Sequence, residues 1–293
     1  MRVLELFSGL GGWRLALGTK GSVAAAYDVS EAANATYALN HGETPKAREL
    51  ATIPLAELAA AGADTWLMSP PCQPFCRMGN QHGLEDRRCR AFRHLMDLFD
   101  QAPPERLVLE NVGGFLGSDA HALLMARLRA HGLHHLDLEA CPSRFGRPNQ
   151  RPRVFVVASR KPLVAQSLPD LPPRPLGDFL DAVEDEGLYL RPEILARHRH
   201  GMDFVTPAER RSTCFIGGYG QRFVGSGSFL RTERGVRRFS PAEVARLLGL
   251  PEGFRFPEGV PLEARYKLLG NGLSIPVAAW ALDHLGADSQ AAR

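Results

Sequence analysis

The sequence contains little cysteine and no long apolar segment, and both absences restrict its class. Five cysteines among 293 residues are too few for a disulfide scaffold, so we expect reduced thiols and a cytoplasmic location. No apolar run approaches the roughly 18–20 residues of a membrane span, and the N-terminus resembles a strand rather than an export signal. An apolar fraction of 44% with 23% charged residues excludes wholesale disorder.

The cysteines and histidines do not form a metal-binding pattern. Cys72, Cys76, His82 and Cys89 lie close together in the sequence, but they do not make two paired knuckles of the zinc-binding type. We therefore expect no metal, and Cys72 is open to another role.

Positive charge is modest overall but concentrated in one segment. The formal net charge is +3, whereas residues 191–238 contain ten arginines, no lysine and four acids. An excess of this kind fits contact with nucleic-acid phosphates. The alternative is a set of solvated charges, in which case binding would not respond to ionic strength.

Short strand-like runs alternate with helical spacing over the first 160 residues. This alternation predicts a parallel, doubly wound α/β sheet of the Rossmann-like kind. The predicted strands cover 2–7, 23–27, 64–68, 106–109 and 153–158, and the predicted helices cover 31–40, 86–100 and 119–131.

Composition divides the chain into three predicted segments. Residues 1–160 form the main α/β domain. The segment from Lys161 to Pro175 contains five prolines, which indicate a linker that leaves this domain. We call residues 161–235 the small lobe, because they are rich in glycine and arginine and weakly periodic. Residues 236–293 become helical again, starting from a predicted N-cap at Ser240 with Pro241 and Glu243 behind it.

A glycine turn follows the first strand. We use this name for Phe7, Ser8, Gly9, Leu10, Gly11 and Gly12. Glycines there let a ligand approach the backbone at the carboxyl end of a strand. Asp28 ends the second strand, where it could accept hydrogen bonds from ribose hydroxyls. Together they favour a cofactor with an adenosine part, although a tight strand-to-helix turn is the alternative.

A cysteine sits in a proline-stiffened loop after the third strand. The run is Ser69-Pro70-Pro71-Cys72-Gln73-Pro74-Phe75, which would hold the thiol at the edge where α/β enzymes build their sites. We interpret Cys72 as a nucleophile, against the alternative of a small buried hydrophobe.

Glu110 and two arginines complete the candidate site. Glu110 lies at the end of the fourth strand, and Arg151 and Arg153 open the last strand at a spacing that puts both on one face. The arginines could bind a phosphate, or stabilise a thiolate and its neighbouring carboxylate. A solvated acid and surface arginines are the alternatives.

In this order the motifs resemble the cytosine-5 methyltransferases that use S-adenosylmethionine. The resemblance rests on the glycine turn, Pro70-Pro71-Cys72-Gln73, Glu110-Asn111-Val112, Arg151-x-Arg153 and Gly270-Asn271. Two segments are similar to motifs of one branch of this family, which modifies cytosine 38 in the anticodon loop of aspartate-type tRNA. They are the loop from Ser69 to Gln81 and Cys214-Phe215 with the glycine- and serine-rich residues that follow it. Ile216 and Cys76 stand where that branch has threonines.

The resemblance implies a role for each motif. Cys72 would attack carbon 6 of cytosine, Glu110 would bind the ring, and Arg151 and Arg153 would hold the base carbonyl and the carboxylate. S-adenosylmethionine would lie on Phe7, Ser8, Gly9, Gly11, Gly12, Asp28, Pro70, Asn271 and Ser274. Substrate contacts would come from Gln73, Arg77, Arg87, Arg88, Cys214, Phe215 and Tyr219.

The expected substrate is tRNA, and we expect a monomer. A DNA methyltransferase of a restriction–modification system would share the catalytic motifs, but the 75 residues of the small lobe are few for reading a duplex site. Two further alternatives are a catalytically silent nucleic-acid-binding relative and a nucleotide-dependent oxidoreductase. The first should have lost Cys72 or Glu110, and the second leaves the Pro-Pro-Cys loop unexplained.

Overall fold

A single mixed sheet organises the main domain, and the predicted α/β class is confirmed. The computed structural model describes residues 1–71, 89–183 and 185–286. The central strands are β1 Arg2–Leu6, β2 Ser22–Tyr27, β3 Thr65–Met68, β4 Arg106–Asn111, β5 His134–Ala140 and β6 Arg153–Ser159. Their order across the sheet is β2-β1-β3-β4-β6-β5.

The direction of β6 differs from the sequence prediction. Neighbouring strands among β1 to β4 pair in parallel, as predicted, but β6 runs antiparallel to both β4 and β5. The sequence analysis also missed β5, whose alternating polar residues fit the edge of a sheet. Because β6 is reversed, its first residues lie beside the last residues of β4, with Asn111 opposite Val154.

Helices cover both faces of this sheet. The described residues form α1 Gly12–Leu17, α2 Glu31–His41, α3 Leu55–Ala60, α4 Arg90–Gln101, α5 Asp119–Ala130, α6 Pro192–His198, α7 Pro241–Leu248, α8 Leu262–Asn271 and α9 Ile275–Asp283. Apolar residues of α4 and α5 pack on one face of the sheet, and those of α1 and α9 pack on the other. Burying both faces explains why the central strands are almost wholly apolar.

The small lobe contains a second sheet and shares a hydrophobic cluster with the following helices. Its strands are β7 Asp203–Val205, β8 Ser228–Thr232 and β9 Gly235–Arg237, in that order. The cluster joins residues of this sheet to α7 and α8. The three segment boundaries stay a prediction.

A buried ion pair fixes α7 against the second sheet. Arg237 donates to both carboxylate oxygens of Glu243 at 2.7 and 2.8 Å, and both side chains are almost fully buried. Glu243 also completes the predicted capping box with Ser240. Two hydrogen bonds from a guanidinium fork compensate much of the cost of burying these charges.

No helix within the described ranges is long and apolar enough to cross a membrane.

Candidate active site

The glycine turn is braced by the acid at the end of β2. The Gly9 amide donates to Oδ2 of Asp28 at 2.9 Å, and the Ser30 amide donates to Oδ1 at 2.8 Å. Phe7 has a φ of 59° and Gly11 a φ of 80°, so the chain bends through a left-handed conformation on its way into α1. At Gly11 a side chain would also collide with the ring of His41. The turn is thus held in one conformation.

Two buried hydroxyls at this turn have no partner among the described residues. They are Oγ of Ser8 and Oγ of Ser274, the N-cap residue of α9. The two segments are close, because a Cβ on Gly12 would lie 3.0 Å from the Leu273 side chain. The space above Gly9 is open toward the described residues, none of which, apart from its chain neighbours, has an atom within 4 Å of a Cβ built there. Unsatisfied buried hydroxyls and an open glycine backbone fit a polar, nucleoside-containing ligand.

The sequence analysis missed Glu5, a residue of β1 that positions the start of α1, directly after the glycine turn. This fully buried carboxylate of β1 accepts hydrogen bonds from the Trp13 amide at 3.1 Å, the Arg14 amide at 3.3 Å and the Tyr37 hydroxyl at 2.9 Å. It therefore holds the first turn of α1, where an acid is favoured. A lone acid within an apolar strand was the available signal. Burial raises the pKa of Glu5 to about 7, despite these three donors.

This raised pKa predicts a decline in stability between about pH 4.5 and 7. In that range the folded protein binds a proton at Glu5 that the unfolded chain has lost, so the free energy of unfolding falls as pH rises and levels off above pH 7. The loss should reach about 3 kcal/mol at most. We expect Glu5→Gln to remove this decline in denaturant unfolding measured from pH 4 to 8.

Glu43 supplies the control for that measurement. Its carboxylate pairs with Arg14 at 2.7 Å on the surface, and this hydrogen bond lowers its pKa. Glu43→Gln should therefore leave the decline above pH 4.5 in place. An unchanged decline in Glu5→Gln would contradict the role assigned to Glu5.

The reversed strand β6 brings Arg153 to Glu110. Nε of Arg153 lies 3.2 Å from Oε1 of Glu110, which is 8% exposed. Burial raises the pKa of Glu110, while Arg153, Arg151 and a hydrogen bond with Ser69 oppose the rise. Burial therefore favours the protonated carboxyl group of Glu110, whereas the arginines favour the carboxylate. A carboxyl group with such opposing influences suits an acid that binds a ring nitrogen.

The end of β4 also holds the start of the Pro-Pro-Cys loop. Nδ2 of Asn111 donates to the carbonyl oxygen of Pro70 at 3.2 Å. The Trp13 indole donates to the Ser69 hydroxyl at 3.0 Å. Trp13 belongs to α1, so this contact joins the first turn of α1 to the start of the Pro-Pro-Cys loop. The cofactor contact expected of Pro70 stays a prediction.

Arg151 connects β6 to the small lobe and to the end of α8. Its Nη2 donates to the carbonyl oxygens of Gly270 and Gly272 at 2.9 and 2.7 Å, and its Nη1 donates to that of Phe215 at 3.2 Å. Gly270 has no room for a side chain, because a Cβ would lie 2.2 Å from the Gly217 nitrogen. The described contacts of Arg151 thus position backbone; a contact with the base carbonyl stays a prediction.

Cys214 joins the two arginines. Its Sγ lies 3.2 Å from Nη1 of Arg151 and 3.9 Å from Nη2 of Arg153. Burial raises the pKa of the thiol, but the charges of the two arginines outweigh burial and lower it. Cys214 therefore lies in the same electropositive site as Glu110.

Phe215 and Tyr219 lie inside the small lobe. Their rings pack edge to face at 4.9 Å, and both side chains are buried. The Tyr219 hydroxyl donates to the Ser228 carbonyl at 2.6 Å and accepts from the Phe239 amide at 3.0 Å. A substrate could reach these rings only if the lobe opened. The described contacts of both residues are packing contacts, and the substrate contacts implied for them stay a prediction.

The remaining predicted site residues are not all placed. Cys72, Gln73, Arg77, Arg87 and Arg88 lie outside the described residues, so their roles stay predictions. Asn271 ends α8 next to Gly272, and its predicted contact with the cofactor is likewise untested. Among the described residues no cluster of His, Cys, Asp or Glu could hold a metal ion.

The α/β sheet, the glycine turn, the strand-end acid and the buried Glu110–Arg153 pair agree with the class of enzyme that the motifs resemble, the methyltransferases. The family model described as C-5 cytosine-specific DNA methylase matches residues 1–185 and 208–286. The chain therefore belongs to this family and is a cytosine-5 methyltransferase.

Individual relatives agree with this assignment over nearly the whole chain. The human tRNA (cytosine(38)-C(5))-methyltransferase is 31% identical, with 95% of this chain and 97% of the relative covered. The crystal structure of the S. pombe Dnmt2 methyltransferase has a TM-score of 0.86 at 30% identity, covering 97% and 98%. The Entamoeba histolytica methyltransferase EhMeth has a TM-score of 0.92 at 24% identity and covers 97% of both chains, which supports the fold.

Proposed function

We propose that this enzyme methylates carbon 5 of a cytosine in a tRNA anticodon loop, through a covalent adduct between Cys72 and carbon 6. The observation that carries the proposal is the meeting of Glu110, Arg153 and Cys214 beside the strand that leads into Cys72. The likeness to relatives named as tRNA (cytosine(38)-C(5))-methyltransferases supports the choice of substrate.

Covalent activation follows from the chemistry of the base. Carbon 5 of cytosine is a weak nucleophile, so the Cys72 thiolate adds to carbon 6, forms a carbon–sulfur bond and moves an electron pair towards carbon 5. Glu110 binds nitrogen 3 and the exocyclic amine and stabilises the charge that develops on the ring. After methylation the carbon 5 proton is lost to water, the carbon–sulfur bond breaks, and the thiolate leaves.

The glycine turn would hold S-adenosylmethionine. The open backbone at Gly9, the free oxygen lone pairs of Asp28 and the unpartnered hydroxyls of Ser8 and Ser274 fit its ribose and its polar tail. When bound, this cofactor would supply the methyl group from its sulfonium and leave as the thioether S-adenosylhomocysteine. Glu5 and Asp28 preorganise the turn, which lowers the cost of ordering it around a ligand.

A loop cytosine suits this site better than a paired one. The target base must leave its stack to reach Glu110, and this costs about a few kcal/mol in a duplex and less in a loop, where the base is unpaired. Because about 1.4 kcal/mol corresponds to a tenfold change in rate, the preference should be large enough to measure.

Transfer of labelled methyl groups tests the proposed substrate. We expect total tRNA to accept methyl groups at least about tenfold faster than duplex DNA. A synthetic anticodon stem–loop with one cytosine in the loop should be methylated, whereas a control with that cytosine moved into the stem should not. Faster transfer to DNA, which the description of the matching family model makes the second candidate, would overturn the proposal.

A further inference from the structure

The ten arginines of residues 191–238 are not equivalent, and the structure separates them by their partners. Three of them pair with carboxylates, namely Arg211, Arg234 and Arg237. Arg210 donates to a backbone carbonyl, and Arg231 and Arg238 lie over aromatic rings. The remaining four are Arg191, Arg197, Arg199 and Arg222, and within the described part of the chain their guanidinium groups have no hydrogen bond or ion pair.

Three of these four arginines come together although they belong to two distant segments. Arg197 and Arg199 are exposed at the end of α6, and Arg222 is exposed in the loop that follows Tyr219. The ring of His198 stacks on that of Phe223 with centroids 5.0 Å apart and planes 19° apart. A Cβ on Gly201 would lie 2.7 Å from the Val224 side chain, so the two segments are also in direct contact there. With the exposed His200, these arginines form what we call the basic patch.

The patch is built on a loop that begins at the candidate active site. The Ile216 amide donates to the Ser226 carbonyl at 3.0 Å and closes this loop, and Ile216 follows the Phe215 carbonyl that Arg151 holds. Arg222 is fixed within the loop, because its amide donates to the Gly218 carbonyl at 2.8 Å and its carbonyl accepts from the Ser226 hydroxyl at 2.9 Å. A polynucleotide with a base at Glu110 could therefore run along this loop to the patch.

A purely structural explanation accounts for only part of the patch. A cation near the C-terminal end of a helix interacts favourably with the helix dipole, which can explain Arg197. It does not explain Arg222, which comes from another segment. The acid nearest to Arg197 on α6 is Glu193, and it forms no ion pair within the described residues. Like charges held together with no ion-paired acid among the described residues favour an anionic partner.

We propose that the basic patch binds phosphates of the RNA strand that carries the target cytosine. The proposal rests on tRNA being the substrate, as proposed above. Guanidinium groups bind phosphate oxygens through paired hydrogen bonds, and each phosphate neutralised releases counterions. Affinity should therefore fall with salt with a slope of about 0.7–0.9 for each contact.

Two variants with the same net charge test this site. The first combines Arg197→Gln, Arg199→Gln and Arg222→Gln. The control combines Arg174→Gln, Arg211→Gln and Arg234→Gln, whose side chains are 64%, 44% and 56% exposed and pair with Asp178, Asp203 and Glu186. Binding of labelled tRNA is measured by anisotropy at several salt concentrations, with thermal unfolding of every variant as a check on folding.

The first variant should lose at least about tenfold in affinity near 0.1 M salt, with the salt slope smaller by about 2 to 3. The control should change affinity less than about twofold, because its arginines are already neutralised. Equal losses of affinity in both variants would show a response to net charge alone, and an unchanged affinity in the first variant would show that tRNA binds elsewhere. Either result would overturn the proposal that the basic patch binds RNA phosphates, while methylation of tRNA by the wild-type enzyme would still support the proposed function. A wild-type enzyme that neither binds nor methylates tRNA would instead overturn the proposed function itself.

Discussion

Replacing Cys72 with alanine is expected to abolish methyl transfer to tRNA, with a loss in kcat on the order of 10⁴ or more. The reason is that alanine offers no atom that can add to carbon 6, so carbon 5 keeps its low reactivity, and losing a covalent nucleophile is among the largest single effects in enzymes. Binding of S-adenosylmethionine should persist, because the glycine turn is braced by Glu5 and Asp28. Single-turnover transfer and calorimetric titration of the cofactor measure the two quantities.

The covalent step can be trapped on a tRNA whose target cytosine carries fluorine at carbon 5. Fluorine replaces the proton that must leave, so the carbon–sulfur bond should survive denaturing electrophoresis. The site has a second thiol, Cys214, whose pKa is lowered by Arg151 and Arg153 after burial has raised it, so the adduct has to be mapped. We expect Cys214→Ala to retain the adduct and Cys72→Ala to lose it. An adduct on Cys214, or none in the wild type, would refute the proposed route.

The order of the motifs was predictable from sequence, but their meeting point was not. Glycine turn, Pro-Pro-Cys loop and Glu110 all follow strands, and the carboxyl ends of parallel strands share an edge. Arg151 and Arg153 come before a strand. In an all-parallel sheet they would lie at the opposite edge, and only the antiparallel pairing of β6 with β4 brings Arg153 to Glu110. Strand direction depends on tertiary packing, which local patterns do not encode.

The roles of side chains in the small lobe also could not be predicted from the sequence. The motif resemblance implied substrate contacts for Tyr219 and Phe215, yet both side chains are buried in the core of the lobe. Glu5 stands out as a lone acid in an apolar strand, but the sequence does not show that its carboxylate holds the first turn of the following helix. At the end of a strand, where α/β folds share the same geometry, the type of residue predicts its chemical role. In the irregular small lobe, the neighbouring side chains determine whether an aromatic ring packs in the core or contacts the substrate.

Replacing Glu110 with glutamine should lower kcat by about 10² to 10⁴ while leaving the fold intact. The amide keeps the size of the side chain and an oxygen that can accept from Arg153 at the present 3.2 Å contact. It cannot carry the charge or the proton that stabilises the ring during addition of the thiolate, and this is the contribution expected of a general acid or an oxyanion-hole donor. Methyl-transfer kinetics at saturating tRNA and cofactor measure the loss.

Glu105 offers a matched control just before the opposite end of β4. Its exposed carboxylate pairs with Arg160 at 3.3 Å, so Glu105→Gln removes an acid of the same type away from the site and should change kcat less than about twofold. The pH profile gives a second readout. Because burial raises the pKa of Glu110, the wild-type kcat should fall as pH rises through that pKa, and Glu110→Gln should lack this descending limb. If the variant kept both the rate and the limb, Glu110 would only position Arg153, and the charge on the ring would have to be stabilised by Arg153 alone.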